Sequence, residues 1–174
     1  RGLGLGYLNG TGNECIVDFA DMIAHMASDS RIRVVAGYLE GIRDGHKLRA
    51  ALAIARKNQT PVIILKVGRS DESARAAASH TGSMTGSYEV YRAAFHQWGV
   101  IEANDVTELF DLIELFSLSP PASQGPRVGI LTNSGGSDVF CADMVNELVL
   151  EVPSLNPATI ARIFFKLPAF GSAQ

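Results

Sequence analysis

The chain has 174 residues, of which 47% are hydrophobic, 19% charged and 7% aromatic. That balance excludes a disordered chain and leaves room for one domain, or one domain and part of another. Fifteen Lys and Arg against eighteen Asp and Glu give a formal net charge of −3, so the basic excess that condenses on phosphate backbones is missing and nucleic acid is excluded as a main partner.

Taken in chain order, Gly2, Gly4 and Gly6 alternate with Leu3, Leu5 and Tyr7. This predicts a short strand with one bare face on which something packs closely. After Asn9-Gly10-Thr11-Gly12 the apolar period becomes helical through Ile16, Phe19, Ala20, Ile23, Ala24 and Ala27, with Asp18 and Asp21 off that face. Arg33 to Leu39 reads as a buried strand and His46 to Asn58 as a helix closing on the cations Arg56 and Lys57. Pro61 to Val67 is the next strand, and a glycine-, serine- and alanine-rich stretch from Gly68 to Ser87 follows it.

Tyr88, Tyr91, Phe95 and Trp98 then fall on one side of a helix, a stripe that helical spacing explains as core. Val100 to Ala103 predicts a short strand, and Asp105 with Glu108 has the form of a capping box opening a helix through Leu109, Leu112, Ile113 and Phe116. Ser117 to Pro126 reads as a linker. Beyond it come a strand from Arg127 to Thr132, a glycine turn from Asn133 to Ser137, a helix from Asp138 to Leu148, and a last helix capped by Asn156-Pro157. Alternating strands and helices predict an α/β fold with a mainly parallel sheet.

Cys15 and Cys141 both lie in helix-like patterns without a second cysteine or histidine at ligand spacing, and are expected to be reduced core thiols. No metal-ligand pairing is visible among His25, His46, His80 and His96. No apolar run reaches the roughly 18 residues of a membrane span, and nothing has the form of a signal peptide. A cytoplasmic protein without a membrane partner is therefore expected.

Ligands of open parallel sheets collect beyond the carboxyl ends of the strands, where loops open the helices. The chain delivers Asn9 to Asn13, then Glu40-Gly41, then Lys66, Gly68 and Arg69 followed by Ser79-His80-Thr81-Gly82, and later Thr132-Asn133-Ser134-Gly135-Gly136 to such edges. On position alone Glu40 also fits an exposed turn residue, His80 an ordinary loop histidine, and Ser134-Gly135-Gly136 a plain tight turn. A histidine nucleophile, however, needs a partner that fixes its other ring nitrogen. Glu40 is the candidate at the same edge.

The set Ser79-His80-Thr81-Gly82, Tyr38-Leu39-Glu40-Gly41-Ile42, Lys66-Val67-Gly68-Arg69-Ser70 and Thr132-Asn133-Ser134-Gly135-Gly136 resembles the NDP-forming acyl-CoA synthetases, relatives of the succinyl-CoA synthetase α subunit. The order and spacing match from about Gly2 to Pro168. The resemblance implies a flavodoxin-like, succinyl-CoA ligase-like domain in which His80 carries a phosphoryl group and Glu40 orients it. It implies that Ser134, Gly135, Gly136 and Gly82 bind phosphate, and that Gly12, Asn13 and Glu14 form a loop near the active site. The reaction implied converts a carboxylate, coenzyme A and ATP to acyl-CoA, ADP and phosphate, with Mg2+ expected in the complete enzyme and no cofactor held tightly by this segment.

On this reading residues 1–117 are the flavodoxin-like domain without its first strand and helix, 118–126 a linker, and 127–174 the beginning of a second flavodoxin-like domain. The expected partners are a small carboxylic acid, CoA, nucleotide, and CoA-binding and ATP-grasp parts supplied by another domain or subunit, in an oligomer. The segment alone is expected to be inactive. Asp138, in the first turn after the glycine turn, departs from the pattern by placing a negative charge close to where a phosphate would sit, either to repel the phosphate or to help hold a metal ion. A non-catalytic module that senses acyl-CoA, of the kind fused to protein acetyltransferases, shares the architecture but has no need of His80.

Overall fold

The computed structural model describes residues 3–70, 73, 87–118 and 125–168. The chain divides into two compact units, Arg1–Pro121 and Ala122–Gln174.

The first unit is an α/β structure in which, among the described residues, three parallel strands run in the order β1 (Val35–Leu39), β2 (Val62–Lys66), β3 (Ile101–Glu102). The register sets Val35 beside Val62 and Leu39 beside Lys66, and Ile63 beside Ile101. All five residues of β2 are buried. Strands covered on both faces read as unbroken apolar runs, and β2 does so until Lys66. One face of the sheet packs on helices α1 (Phe19–Ser28), α2 (Gly45–Lys57) and α3 (Tyr88–Trp98) through Ile23, Leu48, Leu52, Ile64 and Phe95. The other face uses Ile63 and Leu65 against Leu109, Leu112, Ile113 and Phe116 of α4 (Val106–Leu118).

Side-chain caps start these helices. Asp18 accepts from the backbone N–H of Asp21, whose carboxylate accepts from Asp18 N–H in return. Asp44 Oδ1 accepts from the N–H groups of His46 and Lys47, and Asp105 Oδ1 accepts from Glu108 N–H. The return bond of Glu108 reaches one residue further back than a capping box requires, to Asn104 N–H. Gly99, at φ +76°, ends α3 in the left-handed conformation that glycine adopts without strain.

Helices α1 and α2 are tied at both ends. Lys47 Nζ donates to Asp18 Oδ2 at 2.9 Å and to Asp21 Oδ2 at 2.6 Å, while Asn58 Nδ2 donates to Ala27 O at 2.8 Å. The ammonium holds the Asp21 carboxyl below the usual range, and the two carboxylates hold the Lys47 ammonium above its own. Their N-termini therefore share one edge of the sheet, the carboxyl edge, because α2 leaves from the end of β1.

The predicted glycine strand does not form among the described residues. Residues 3–10 form no strand and pair with none among the described residues. They run beside α1 from its C-terminal end, where Tyr7 OH donates to Asp29 Oδ2 at 2.8 Å, toward its N-terminal end, where Glu14 Oε1 accepts from Phe19 N–H at 3.1 Å. Close packing on the bare face exists at Gly6, where a Cβ would come within 2.5 Å of Ile32 Cδ1. The helical face is also shorter than its apolar period, because the Asp18 cap starts α1 after Ile16, which is 92% exposed. Cys15 is consequently an exposed thiol and not a core residue, whereas Cys141 is half-buried, and both are free.

A tighter contact lies on β1. A Cβ on Gly37 would meet Phe19 Cζ at 2.4 Å, so the first ring of α1 seats directly on strand backbone. Gly37→Ala is expected to cost about 1–3 kcal/mol by overpacking. The urea midpoint checks this, and Phe19→Ala in the same chain should recover part of the loss of space while adding its own cavity.

The second unit contains α5 (Gly135–Glu147) and α6 (Pro157–Phe164). Asn156 Oδ1 accepts from Thr159 N–H at 2.8 Å, with Pro157 at the first helical position, as its sequence requires. The strand predicted from Arg127 to Thr132 is reduced to one parallel bridge between Arg127 and Glu151. Val128 N–H donates to Glu151 O and Glu151 N–H to Pro126 O, both at 2.8 Å. A ladder needs a partner extending past one residue, and here α5 begins at Gly135, three residues before the expected Asp138. Among the described residues no helix is long and apolar enough to cross a membrane.

Candidate functional site

The carboxyl edge of the sheet gathers Glu40, Lys66 and Arg69 of the residues singled out in the first unit. β1 ends at Leu39 and is followed by Glu40, half-buried, and by Gly41 and Ile42. β2 ends in Lys66, which is 1% exposed, followed by Val67, Gly68 and Arg69. Lys66 Nζ donates to Glu40 O at 2.7 Å and also to Val67 O, and it lies 4.8 Å from the centre of the Tyr91 ring. Burial lowers its pKa, and the Arg69 charge lowers it further, against a partial opposing effect of Glu40 and Glu102. Tyr91 OH in turn accepts from Ile42 N–H at 2.9 Å. The turn after β1 is thus held at Glu40 from below by a cation and at Ile42 by a phenol.

A second set of bonds joins the end of β2 to the start of α3. Arg69 Nε donates to Lys66 O at 2.7 Å and its terminal nitrogen to Ala103 O at 2.6 Å, with Glu102 Oε1 3.7 Å away. Tyr88 OH donates to the same Glu102 oxygen at 2.6 Å, and the Arg69 guanidinium lies 5.3 Å from the Tyr88 ring. Burial raises the Tyr88 pKa, and the bond to Glu102 raises it further. Arg69 and Tyr88 therefore meet on one carboxylate, although eighteen residues separate them in sequence. His80 and Gly82 lie outside the described residues, within the segment that Arg69 and Tyr88 bracket.

The loop Gly12-Asn13-Glu14 sits at the N-terminal end of α1. Glu14 N–H donates to Thr11 O at 3.2 Å, and Thr11 Oγ1 donates to Glu14 Oε1 at 2.9 Å. Gly12 and Glu14 both adopt positive φ, +57° and +52°. The Glu14 carboxylate is occupied by Thr11 and by the first N–H of α1, so its bonds hold the loop against the helix, while Asn13 is exposed.

Ser134, Gly135 and Gly136 open α5 in the second unit and are exposed. Ser134 N–H donates to Thr132 Oγ1 at 3.1 Å, and the Ser134 side chain makes no capping bond. Asp138 N–H donates to Ser134 O at 3.1 Å, the ordinary first bond of the helix. The N–H groups at a helix start suit an anion, and the Asp138 carboxylate in the same turn opposes one. Among the described residues no three His, Cys, Asp or Glu side chains converge as a metal ion would require.

Sequence reasoning found Glu40, Lys66 and Arg69 as strand-end residues but missed what surrounds them. Tyr91 and Tyr88 read as core because helical spacing cannot reveal a hydroxyl bonded to a distant strand. Glu102 carried no local signal at all.

The sequence pattern of the family described as "Succinyl-CoA ligase like flavodoxin domain" matches residues 1–116. An ADP-forming acetate–CoA ligase I of Archaeoglobus fulgidus is 41% identical over 97% of this chain and 24% of its own length. The α subunit of an ADP-forming acetate–CoA ligase II of Pyrococcus furiosus is 38% identical over 94% of this chain and 35% of its own. The structure of acetyl-coenzyme A synthetase 1 of Ca. Korarchaeum cryptofilum in complex with phosphate and ADP superposes with a TM-score of 0.78 at 32% identity, over 93% of this chain and 35% of that one. The chain spans between a quarter and about a third of the length of these relatives.

Proposed function

The chain belongs to the family of succinyl-CoA ligase-like flavodoxin domains, and from that premise we propose that it is the phosphoryl-carrying part of an ADP-forming acyl-CoA synthetase. In this reading His80 attacks the terminal phosphorus of ATP, the bond to the ADP oxygen breaks, and the imidazole holds the phosphoryl group on nitrogen. A carboxylate oxygen then takes the phosphoryl group to give an acyl phosphate. The thiolate of coenzyme A displaces phosphate from it to give the acyl-CoA. Glu40 fixes the ring nitrogen that does not react.

The observation that carries the reading is the meeting of Arg69 and Tyr88 on Glu102 beside Lys66 and Glu40. The residues flanking the histidine segment are thereby anchored at the same edge as the candidate orienting carboxylate. In this proposal Ser134, Gly135, Gly136 and Gly82 bind phosphate through backbone amides, and Gly12 to Glu14 form a loop near the active site. Magnesium is assigned to the nucleotide it accompanies. The CoA-binding and ATP-grasp parts come from elsewhere in the complete ligase, and the 174 residues alone form no acyl-CoA.

The reading is tested by phosphorylating the complete ligase with γ-labelled ATP. Glu40→Gln should slow labelling by about 10²- to 10⁴-fold, the range over which an orienting carboxylate acts on a reacting imidazole. Circular dichroism and melting should stay near those of the parent, because the substitution removes charge and little volume. Labelling at the parent rate would return Glu40 to the role of a turn residue.

A further inference from the structure

We propose that Lys66 is a positioning residue for Glu40, acting through the backbone of the turn that follows β1. The proposal rests on the reading of Glu40 given above. A lysine that is 1% exposed at the end of a central strand is an expensive residue, because its ammonium gives up water. An apolar side chain would continue the run Val62, Ile63, Ile64, Leu65 at lower cost.

What the ammonium receives in exchange, among the described residues, is two carbonyl bonds and an aromatic face, Glu40 O at 2.7 Å, Val67 O, and Tyr91 at 4.8 Å, with a weaker charge attraction from Glu40 and Glu102. Both carbonyls belong to the first residue beyond a strand, one on β1 and one on β2. Lys66 therefore bonds neighbouring strand ends across the edge where the ladder stops supplying amide donors. The amide of Val67 makes the last rung, donating to Leu39 O at 3.0 Å. Glu40 O lies one residue beyond that rung, and Lys66 provides the donor the sheet no longer can.

The turn is held a second time, two residues on. Tyr91 OH accepts from Ile42 N–H at 2.9 Å, and the ring of Tyr91 is itself backed edge-on by buried Phe95 at 5.9 Å between centres. Two hydrogen bonds, neither of them to the Glu40 carboxylate, thus fix the backbone on either side of Gly41. Displacement of a reacting group by about 1 Å can lower a rate by roughly 10²-fold. A clamp on this backbone is accordingly worth its desolvation.

The test measures labelling of the complete ligase by γ-labelled ATP in four variants, each checked for melting. Lys66→Met keeps the apolar stem and loses the donors, and should slow labelling by about 10- to 100-fold. Lys66→Arg keeps charged donors and should recover most of the rate, which restored packing alone would not do. In a Glu40→Gln background, Lys66→Met should add no further loss, because a residue that acts only by placing the Glu40 carboxylate has nothing left to place. A parent rate in Lys66→Met, a rate in Lys66→Arg no better than in Lys66→Met, or losses that multiply in the double variant would each overturn the proposal. If Glu40→Gln alone left labelling unchanged, the reading of Glu40 would fall and this proposal with it, whereas a slow Glu40→Gln beside a fast Lys66→Met would overturn this proposal only. Should Lys66→Met not fold, Tyr91→Phe carries the same cycle. It removes only the hydroxyl that receives Ile42 N–H, and multiplying losses there overturn the clamp.

Discussion

Replacing His80 by alanine in the complete ligase is expected to abolish the protein-bound label formed from γ-labelled ATP. A phosphoryl group on imidazole nitrogen is lost in acid and kept in alkali, which separates it from the esters of serine and threonine and from acyl phosphates. The parent should therefore show label with that stability pattern, and His80→Ala should show none above background. Overall acyl-CoA formation should fall by at least about 10³-fold, as it does when a nucleophile is removed from a residue set that acts as a unit. Acid-labile, alkali-stable label that persists in His80→Ala would assign the carrier to another residue and reject the proposed function. A non-catalytic module that senses acyl-CoA makes the opposite forecast, with no label in the parent and acyl-CoA affinity that ignores the substitution.

The second large effect is structural. Phe95 is 1% exposed in the core between α3 and β2, and it meets Tyr91 edge-on. Phe95→Ala should destabilise the chain by about 3–5 kcal/mol, through lost burial and the cavity left behind. Denaturant unfolding reads this directly. The same truncation at Phe164, which is 67% exposed, should change stability by less than about 0.5 kcal/mol. Because Phe95 backs the ring whose hydroxyl holds Ile42, its loss should also slow phosphorylation under conditions where the protein remains folded. A fall in stability with an unchanged labelling rate would show that Tyr91 does not depend on that support.

The elements that sequence made legible are those whose signal is local. α2, α3 and α4 announce themselves by apolar period, with the closing cations Arg56 and Lys57 on α2 and Asp105 opening α4. β1 and β2 follow from short apolar runs bounded by turns. The failures share a cause. Alternation of Gly2 to Tyr7 promised a strand, but a strand exists only where a neighbour supplies hydrogen bonds, and residues 3–10 pair with no strand among the described residues. Cys15 and Ile16 extended a helical period that the reciprocal Asp18–Asp21 cap cuts short, and aspartate in place of glutamate at the second position hid that cap.

Glu40 and His80 are assigned to the proposed site through motif resemblance rather than through any periodicity. Lys66 was visible only as a strand-end cation. Its bond to a carbonyl 26 residues away is a product of register, which no local pattern encodes.

That register has a bearing on how the region can change. Val62, Ile64 and Lys66 point to one side of β2 and Ile63 and Leu65 to the other, with both sides covered. A single-residue insertion within this strand would swap the two sets, carrying the ammonium to the layer of α4 and putting an aliphatic chain under Tyr91. Point substitutions can therefore tune this edge by degrees, but a frameshift of one position in the central strand would dismantle interior and edge together.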